Sequence, residues 1–187
     1  MTRFLKFVAG LGLAAVLLAL VSREAARCAT PTSANPDAIT EPLAIIVNRS
    51  NTISDLSTAE LRHIFLGDRS HWPSGRRITL VMREPGEPER KCMLHDLYQM
   101  SESDLKNHFL HGLFTGDILV SPKILATAVG VRKFVFNVPG AIGYVRLSDV
   151  DGSVKVLRVD ELLPDDRGYR LKLEISGAKQ DARAKEN

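Results

Sequence analysis

Cysteine is scarce in this chain. Its 187 residues include only two cysteines, Cys28 and Cys92. If the N-terminal segment that holds Cys28 is removed, Cys92 is left alone and cannot form a disulfide within the chain. A lone cysteine on an apolar helix face is usually a small buried hydrophobic residue. The sequence therefore excludes a disulfide framework, and stability must come from a packed hydrophobic core.

The chain also lacks an apolar run of membrane-spanning length. The longest run, Phe7–Val21, contains 15 apolar or glycine residues, whereas a spanning helix needs about 20. Because two basic residues precede this run, we interpret residues 1–28 as an export signal peptide and predict a periplasmic protein. An uncleaved N-terminal membrane anchor is the alternative. Lipidation of Cys28 is disfavoured, because Arg27 occupies a position that requires a small residue.

Outside this segment the chain has no excess of either charge. Removing the four basic residues and the one acidic residue of positions 1–28 from totals of 25 and 22 leaves 21 of each sign. A nucleic-acid-binding domain needs a clustered basic face. The charge balance therefore gives no support to a nucleic-acid partner.

The rest of the chain divides into a linker, one domain and a tail. Residues 29–41 are rich in Pro, Ser, Thr and Ala and predict a linker. Residues 176–187 are polar and charged, which predicts a disordered tail. Residues 42–175 are enough for one domain with a substantial core.

Residues 54–72 are the most informative stretch of this domain. Ser57 and Glu60 have the spacing of a capping box at the start of a helix, and Gly67 is the kind of residue that ends one. Three apolar residues share a face of this predicted helix: Leu61, Ile64 and Phe65. Trp72, the only tryptophan of the chain, ends the loop that follows.

Short apolar runs flank the predicted helix. Residues 43–48 are apolar without alternation, which predicts a strand buried on both faces. Residues 78–83 predict a second strand, so that strand, helix and strand would form a right-handed βαβ unit. Residues 141–145 predict a third strand after a Pro-Gly turn. We therefore predict an α/β fold, a small three-layer domain with a mixed sheet.

Further along the chain, helical patterns cover residues 88–100, a stretch that begins at Ser101, and residues 121–136. Residues 154–159 and 169–173 predict two more strands. We expect these last two strands to form a hairpin at the edge of the sheet.

Four segments of the domain resemble those of the phosphate-type periplasmic substrate-binding proteins of ABC transporters. They are the strand ending Ile-Ile-Val-Asn, the helix ending Ile-Phe-x-Gly before a loop with Trp, the strand leading to Arg, and Pro-Gly-Ala-Ile-Gly-Tyr-Val. They occur in the family's order within residues 43–145. The resemblance implies a non-enzymatic, single-lobe domain of the periplasmic-binding-protein type, without cofactor or metal. It also implies a small anion such as phosphate as ligand and a membrane transporter as partner.

The anion-binding loop departs from the family pattern. In the family, Arg-x-x-Gly-Ser-Gly-Thr opens a helix and directs N–H groups and hydroxyls at an oxyanion. Here Arg83 and Gly86 match, but Glu87, Pro88 and Glu89 replace the Ser, Gly and Thr. Two hydroxyls and one N–H donor are lost, and two carboxylates stand where the anion would bind. We interpret the loop as degenerate, with its acids satisfying the helix start.

A shifted anion site remains an alternative, and we retain Arg83, Gly86 and Arg90 as candidate ligand residues, with Lys91 as a further cation. Arg49 is added because it follows a strand, and ligands bind at strand ends in open α/β sheets. A third interpretation is a cation or amine site built on the loop's carboxylates: Glu84, Glu87 and Glu89.

A second departure concerns size. Family members have two lobes, and only a linker precedes the lobe found here, so most of the other lobe is expected to be absent. A single lobe cannot enclose an anion from both sides. The alternative function is therefore an envelope protein–protein interaction module that has lost ligand binding.

Two residue pairs at i, i+3 spacing could carry other chemistry. His108 with His111, and Cys92 with His95, offer zinc ligands or a thiol nucleophile with its base. Neither pair belongs to a compact Cys/His motif, and no third group orients the base. The sequence therefore predicts neither a metal site nor an enzyme.

Overall fold

The structure of the protein is a computed structural model that describes residues 39–175. The predicted signal peptide, most of the predicted linker and the predicted tail lie outside the described residues. The first strand begins at Ile39, so the last three residues of the predicted linker belong to the sheet. They do so because they pair with the last strand, with Glu41 opposite Leu173.

Eight strands and four α-helices make up the described part of the chain. The strands are β1 (Ile39–Asn48), β2 (Asp55–Leu56), β3 (Thr79–Arg83), β4 (Lys123–Leu125), β5 (Ala141–Arg146), β6 (Val154–Val156), β7 (Arg158–Val159) and β8 (Lys172–Ile175). The helices are α1 (Thr58–Leu66), α2 (Pro88–Cys92), α3 (Glu102–Thr115) and α4 (Ala128–Asn137), with a π-helical segment (Met93–Tyr98) after α2 and a 3-10 turn (Leu147–Asp149) after β5. None of these helices is long and apolar enough to cross a bilayer.

The main sheet is mixed, as predicted, with strand order β4-β3-β5-β1-β6 and β8 paired with the first half of β1. β3 is parallel to β4 and β5, whereas β1 is antiparallel to β5, β6 and β8. The predicted βαβ unit is therefore wrong, because β5 lies between β1 and β3. In addition, β1 and β3 run in opposite directions. The apolar runs identify the strands but do not identify their partners.

The central strand is buried on both faces, which confirms the prediction for β1. Leu43, Ile45 and Val47 belong to a core shared with α1, the π-helical segment and α3. Ala44 and Ile46 belong to a second core beneath α4. Helices on both faces of one sheet give the predicted three layers.

Local signals around α1 are realised as expected. Ser57 and Glu60 form the capping box, and Gly67 ends the helix at a φ of 86°. Trp72 is buried, and its Nε1 donates to the carbonyl of Gly140 at 3.0 Å. A Cβ on Gly140 would lie 2.0 Å from the carbonyl oxygen of Arg77, so only glycine fits. These contacts fix the helix end and the following loop against the start of β5.

The prediction of a helix from residue 121 is wrong at its start. Residues 123–125 pair with β3, with Val81 opposite Lys123, and the helix begins only at Ala128. Thr127 is its N-cap and accepts a hydrogen bond from the N–H of Gly130 at 3.0 Å. Ile124 lies in this strand and is 49% exposed.

Two further predictions change. The predicted hairpin of the last two strands is wrong, because β6 and β8 both pair with β1 and β7 pairs with β2. The helix predicted over residues 88–100 is α-helical only in its first half and then π-helical. It ends at Tyr98, because Gln99 takes a left-handed conformation with φ 54°.

Candidate anion-binding site

Two arginines end neighbouring parallel strands. Arg83 is the last residue of β3, and Arg146 is the last residue of β5. The two strands are in register with Thr79 opposite Ala141, so both carboxyl ends lie at one edge of the sheet. Because open α/β sheets bind ligands outside these ends, this edge is the candidate site.

Both the backbone N–H and the side chain of Arg83 donate hydrogen bonds within the fold. Its N–H donates to the Tyr144 hydroxyl at 3.1 Å, and its Nη1 donates to the carbonyl of Leu125 at 3.3 Å. Both Arg83 and Tyr144 are buried. Burial raises the pKa of the Tyr144 hydroxyl to about 12, so this group is a neutral partner at neutral pH.

Two glutamates of the substituted loop pair with these arginines. Glu87 Oε2 accepts from Arg83 Nη2 at 2.9 Å. Glu89 Oε1 accepts from Arg146 Nε at 2.5 Å, and its Oε2 lies 3.7 Å from Arg83 Nε. The Glu89 carboxylate, only 4% exposed, thus lies between two guanidinium groups.

The charges of this cluster favour the ionised glutamate. Burial alone raises the pKa of the Glu89 carboxyl, but the hydrogen bond from Arg146 and the charges of Arg146 and Arg83 outweigh it, and the pKa lies below its ordinary value. Arg146 Nη1 also contacts Glu41 Oε2 at 3.2 Å. Two arginines thus face three carboxylates, those of Glu41, Glu87 and Glu89. A net negative cluster does not attract a further anion.

The loop before α2 does not form a cradle of N–H donors. Gly86 has a φ of 91° in a turn whose Glu87 N–H donates to the carbonyl of Glu84 at 3.3 Å. Pro88, the first residue of α2, has no N–H. The Glu87 side chain makes no hydrogen bond to the helix start, which differs from the prediction that this acid caps the helix. It pairs with a guanidinium instead, and charge-assisted bonds are the stronger kind.

Arg90 belongs to a separate ion pair. Its Nε and Nη2 donate to Glu102 at 3.2 and 2.7 Å, and its Nη1 lies 2.9 Å from the Sδ of Met82. Burial lowers the pKa of Arg90, but the hydrogen bond and charge of Glu102 more than compensate and raise it above its ordinary value. Arg90 thus links α2 to the start of α3. In this arrangement it has no guanidinium edge directed at a ligand.

Arg49 is not brought together with the other candidates. It follows β1, which runs antiparallel to β5, so it lies at the opposite edge of the sheet from Arg83. Its exposed guanidinium donates to the carbonyl of Gly152. Both residues lie at strand ends, but the carboxyl ends of antiparallel strands lie at opposite edges of the sheet.

Sequence reasoning missed two members of the cluster, Arg146 and Glu41. Arg146 directly follows the predicted strand over residues 141–145, and a strand ending in arginine is the signal it shares with β3. Glu41 was placed in the linker. Its partner is 105 positions away, and nothing local indicates such a contact.

The Cys92–His95 pair is not arranged as nucleophile and base. Each contacts Asp96 instead: Cys92 Sγ lies 3.3 Å from Oδ2, and His95 Nδ1 lies 2.6 Å from Oδ1. Burial and the Asp96 charge raise the pKa of the Cys92 thiol far above its ordinary range, which disfavours the reactive thiolate. His108 Nε2 is bonded to the carbonyl of Leu66 at 2.8 Å. Within residues 39–175, no three His, Cys, Asp or Glu residues are placed to hold a metal.

Solved structures with similar folds come from phosphate transport. A protein assigned as a phosphate ABC transporter substrate-binding protein from Clostridium perfringens, solved with bound phosphate, superimposes with a TM-score of 0.60 at 20% identity over 72% of this chain and 54% of its own. An ABC-type phosphate transport receptor from Vibrio cholerae superimposes with a TM-score of 0.60 at 19% identity, over 79% of this chain and 61% of its own. PstS from Borrelia burgdorferi superimposes with a TM-score of 0.59 at 13% identity, over 79% of this chain and 62% of its own. This chain has the fold of phosphate-type substrate-binding proteins.

The phosphate-binding-protein fold is all that this likeness establishes, because the identities are 13–20%. No family model matches the chain. The chain spans only 54–62% of the length of these three proteins, which is consistent with the predicted single-lobe form. The three are solute-binding proteins and not enzymes, and the prediction of a non-enzyme agrees with that.

Proposed function

We propose that this chain is an exported solute-binding-protein-like domain of the phosphate type whose anion site is filled by its own carboxylates. One observation carries the proposal: the buried Glu89 carboxylate lies between Arg83 and Arg146. The anion-binding loop has thus exchanged a ligand for a side chain. The domain keeps the fold but does not capture free phosphate.

The energetics favour this exchange. For phosphate to bind, Glu89 would have to leave both arginines, and stranding a buried charge costs about 3–5 kcal/mol. A micromolar complex is worth about 8 kcal/mol. Displacement would therefore weaken phosphate binding by a factor on the order of 10²–10⁴, even before repulsion by Glu41 and Glu87.

Titration with inorganic phosphate in a calorimeter tests the proposal. We expect no saturable heat with the wild-type chain at neutral pH. Glu87→Ser combined with Glu89→Thr restores both hydroxyls of the family loop and removes both carboxylates, so this double variant should bind phosphate. Glu102→Gln is the matched control, because it removes an arginine-bound carboxylate outside the site, and it should not create binding.

Two results would contradict the proposal. Micromolar phosphate binding by the wild-type chain that is lost in Arg83→Ala would mean that phosphate displaces Glu89. Binding gained equally by the double variant and by Glu102→Gln would mean that the loop carboxylates are not the obstacle.

A protein-interaction module is the second candidate, and one observation favours it. Of the nine large apolar side chains that are exposed within residues 39–175, six lie between residues 110 and 124. The sheet edge at Arg83 offers no comparable surface, since Tyr144 is fully buried and Arg49 lies at the opposite edge. The interaction surface would instead be the one formed around α3 and β4.

A further inference from the structure

An apolar groove runs between α3 and the edge strand β4, with a volume of about 450 Å³. Phe109, Leu110 and Leu113 of α3 form one wall, Pro122 and Ile124 form the other, and Met82 of β3 contributes to the floor. We call this feature the α3–β4 groove. Its size is enough for a few apolar side chains of a bound segment.

The walls of the groove are exposed where an apolar surface is normally covered. Leu110 is 50% exposed and Ile124 is 49% exposed, and Phe114, just beyond the groove, is 83% exposed. Contiguous exposed apolar surface marks interaction sites in soluble proteins. Ile124 faces the groove because its neighbour Leu125 packs on the opposite side of the sheet, against the core beneath α4.

One wall of the groove is also a strand with an open edge. β4 is the terminal strand of the sheet, paired only with β3 among the described residues. The outer N–H and C=O groups of such a strand can pair with an added strand. A segment bound there would place alternate side chains into the groove, since side chains of a strand alternate between its faces.

The charges of the groove define what it would bind. Arg90 and Glu102 neutralise each other at its floor. Lys106 also lines it and has no carboxylate within ion-pair distance among residues 39–175. The one acid between residues 110 and 124, Asp117, already accepts a hydrogen bond from Thr115 at 2.6 Å.

We propose that the α3–β4 groove binds an extended apolar segment of a partner protein that carries an acidic residue. The segment would add a strand to the outer edge of β4 and place its carboxylate near Lys106. This inference does not depend on whether the anion site binds phosphate, because the two sites share neither ligand nor test.

Selection from a displayed library of random peptides of about ten residues, against the full chain, tests the proposal. We expect enriched peptides in which apolar residues alternate and at least one acid is present. A synthetic copy of the best peptide should lose affinity about tenfold or more in Leu113→Asp. Lys106→Glu should weaken it about fivefold or more through charge.

Phe136→Asp is the matched control, because Phe136 is a comparably exposed apolar residue, 53% against 39% for Leu113, on α4. It should bind the peptide like the wild type. Circular dichroism would establish that each variant is folded. Hydrogen exchange should show new protection of the amides of residues 123–125 in the presence of the peptide.

Three outcomes would overturn the proposal. The absence of enrichment over a blank surface would show that the groove does not recognise extended segments. Equal peptide affinity of Leu113→Asp and wild type would place the peptide elsewhere. A dimer in sedimentation equilibrium that dissociates in Leu113→Asp would identify a second copy of the chain as the occupant.

Discussion

The anion-site cluster and the α3–β4 groove are two neighbouring regions with opposite properties. In the cluster, Arg83 and Glu89 are buried and each charge has an internal partner. In the groove, apolar side chains such as Leu110 and Ile124 face solvent with nothing described to cover them. Side chains of the chain itself thus fill the candidate anion site, whereas the apolar surface beside it is open to solvent.

The largest effect on this comparison should come from removing the internal anion. Glu89→Ala deprives Arg146 of its closest partner and leaves the buried Arg83 with Glu87 as its one remaining carboxylate partner among the described residues. We expect a loss of about 3 kcal/mol in the free energy of unfolding, the lower end for a broken buried pair, because Arg146 is only partly buried. Urea denaturation measures this loss.

Glu84→Ala is the control for that variant, since Glu84 is an exposed acid of the same loop. It should change stability by no more than about 0.5 kcal/mol. If both variants were equally stable, the cluster would be a surface network and the contrast with the groove would disappear.

The second largest effect on stability should come from acid, which protonates Glu89. The pKa of Glu89 is lowered from 4.5 in the folded chain, so its ionised form stabilises the fold above the unfolded-state value. That contribution is lost as the pH falls through the folded-state value, and the window therefore begins near 4.5 and extends below it. In this window the slope should reach up to about 1.4 kcal/mol per pH unit.

Urea midpoints measured from pH 6 down to pH 3 would follow this loss. Glu89→Gln should be less stable at pH 6 and should show a shallower decline, because the titrating group is gone. Parallel curves for variant and wild type would assign the acid sensitivity to other carboxylates.

The smallest effect is expected in the groove region. Phe114→Ser replaces an apolar side chain that is 83% exposed, so the free energy of unfolding should change by no more than about 0.5 kcal/mol. Phe109→Ala, on the same helix but 8% exposed, should cost about 3 kcal/mol or more. A large loss in Phe114→Ser would mean that this surface is part of the core after all.

Local features of the fold could be predicted from the sequence. The capping box of Ser57 and Glu60, the helix stop at Gly67 and the two-faced burial of β1 depend on residues a few positions apart. Strand pairing could not be predicted in the same way, because it joins distant segments. For that reason the βαβ unit and the final hairpin were wrong, and β4 was mistaken for the start of α4.

For the candidate site, too, local features could be predicted from the sequence and contacts between distant residues could not. The departure from the family's loop pattern is visible at Glu87, Pro88 and Glu89, because motif positions are local. The partner of Glu89 could not, since Arg146 lies 57 positions away and becomes a neighbour only when β3 and β5 pair in parallel. Arg49 is not near the other candidates, because the antiparallel pairing of β1 with β5 places it at the opposite edge of the sheet.

Trp72 gives these experiments a common optical signal. It is the only tryptophan in the chain, it is 3% exposed, and its indole is bonded to Gly140 at the start of β5. That position is at the sheet edge opposite Arg83 and Arg146, so substitutions in the cluster lie away from the indole. Its emission should shift to longer wavelength only when the domain unfolds. One fluorescence channel can therefore rank variants of both regions on the same scale.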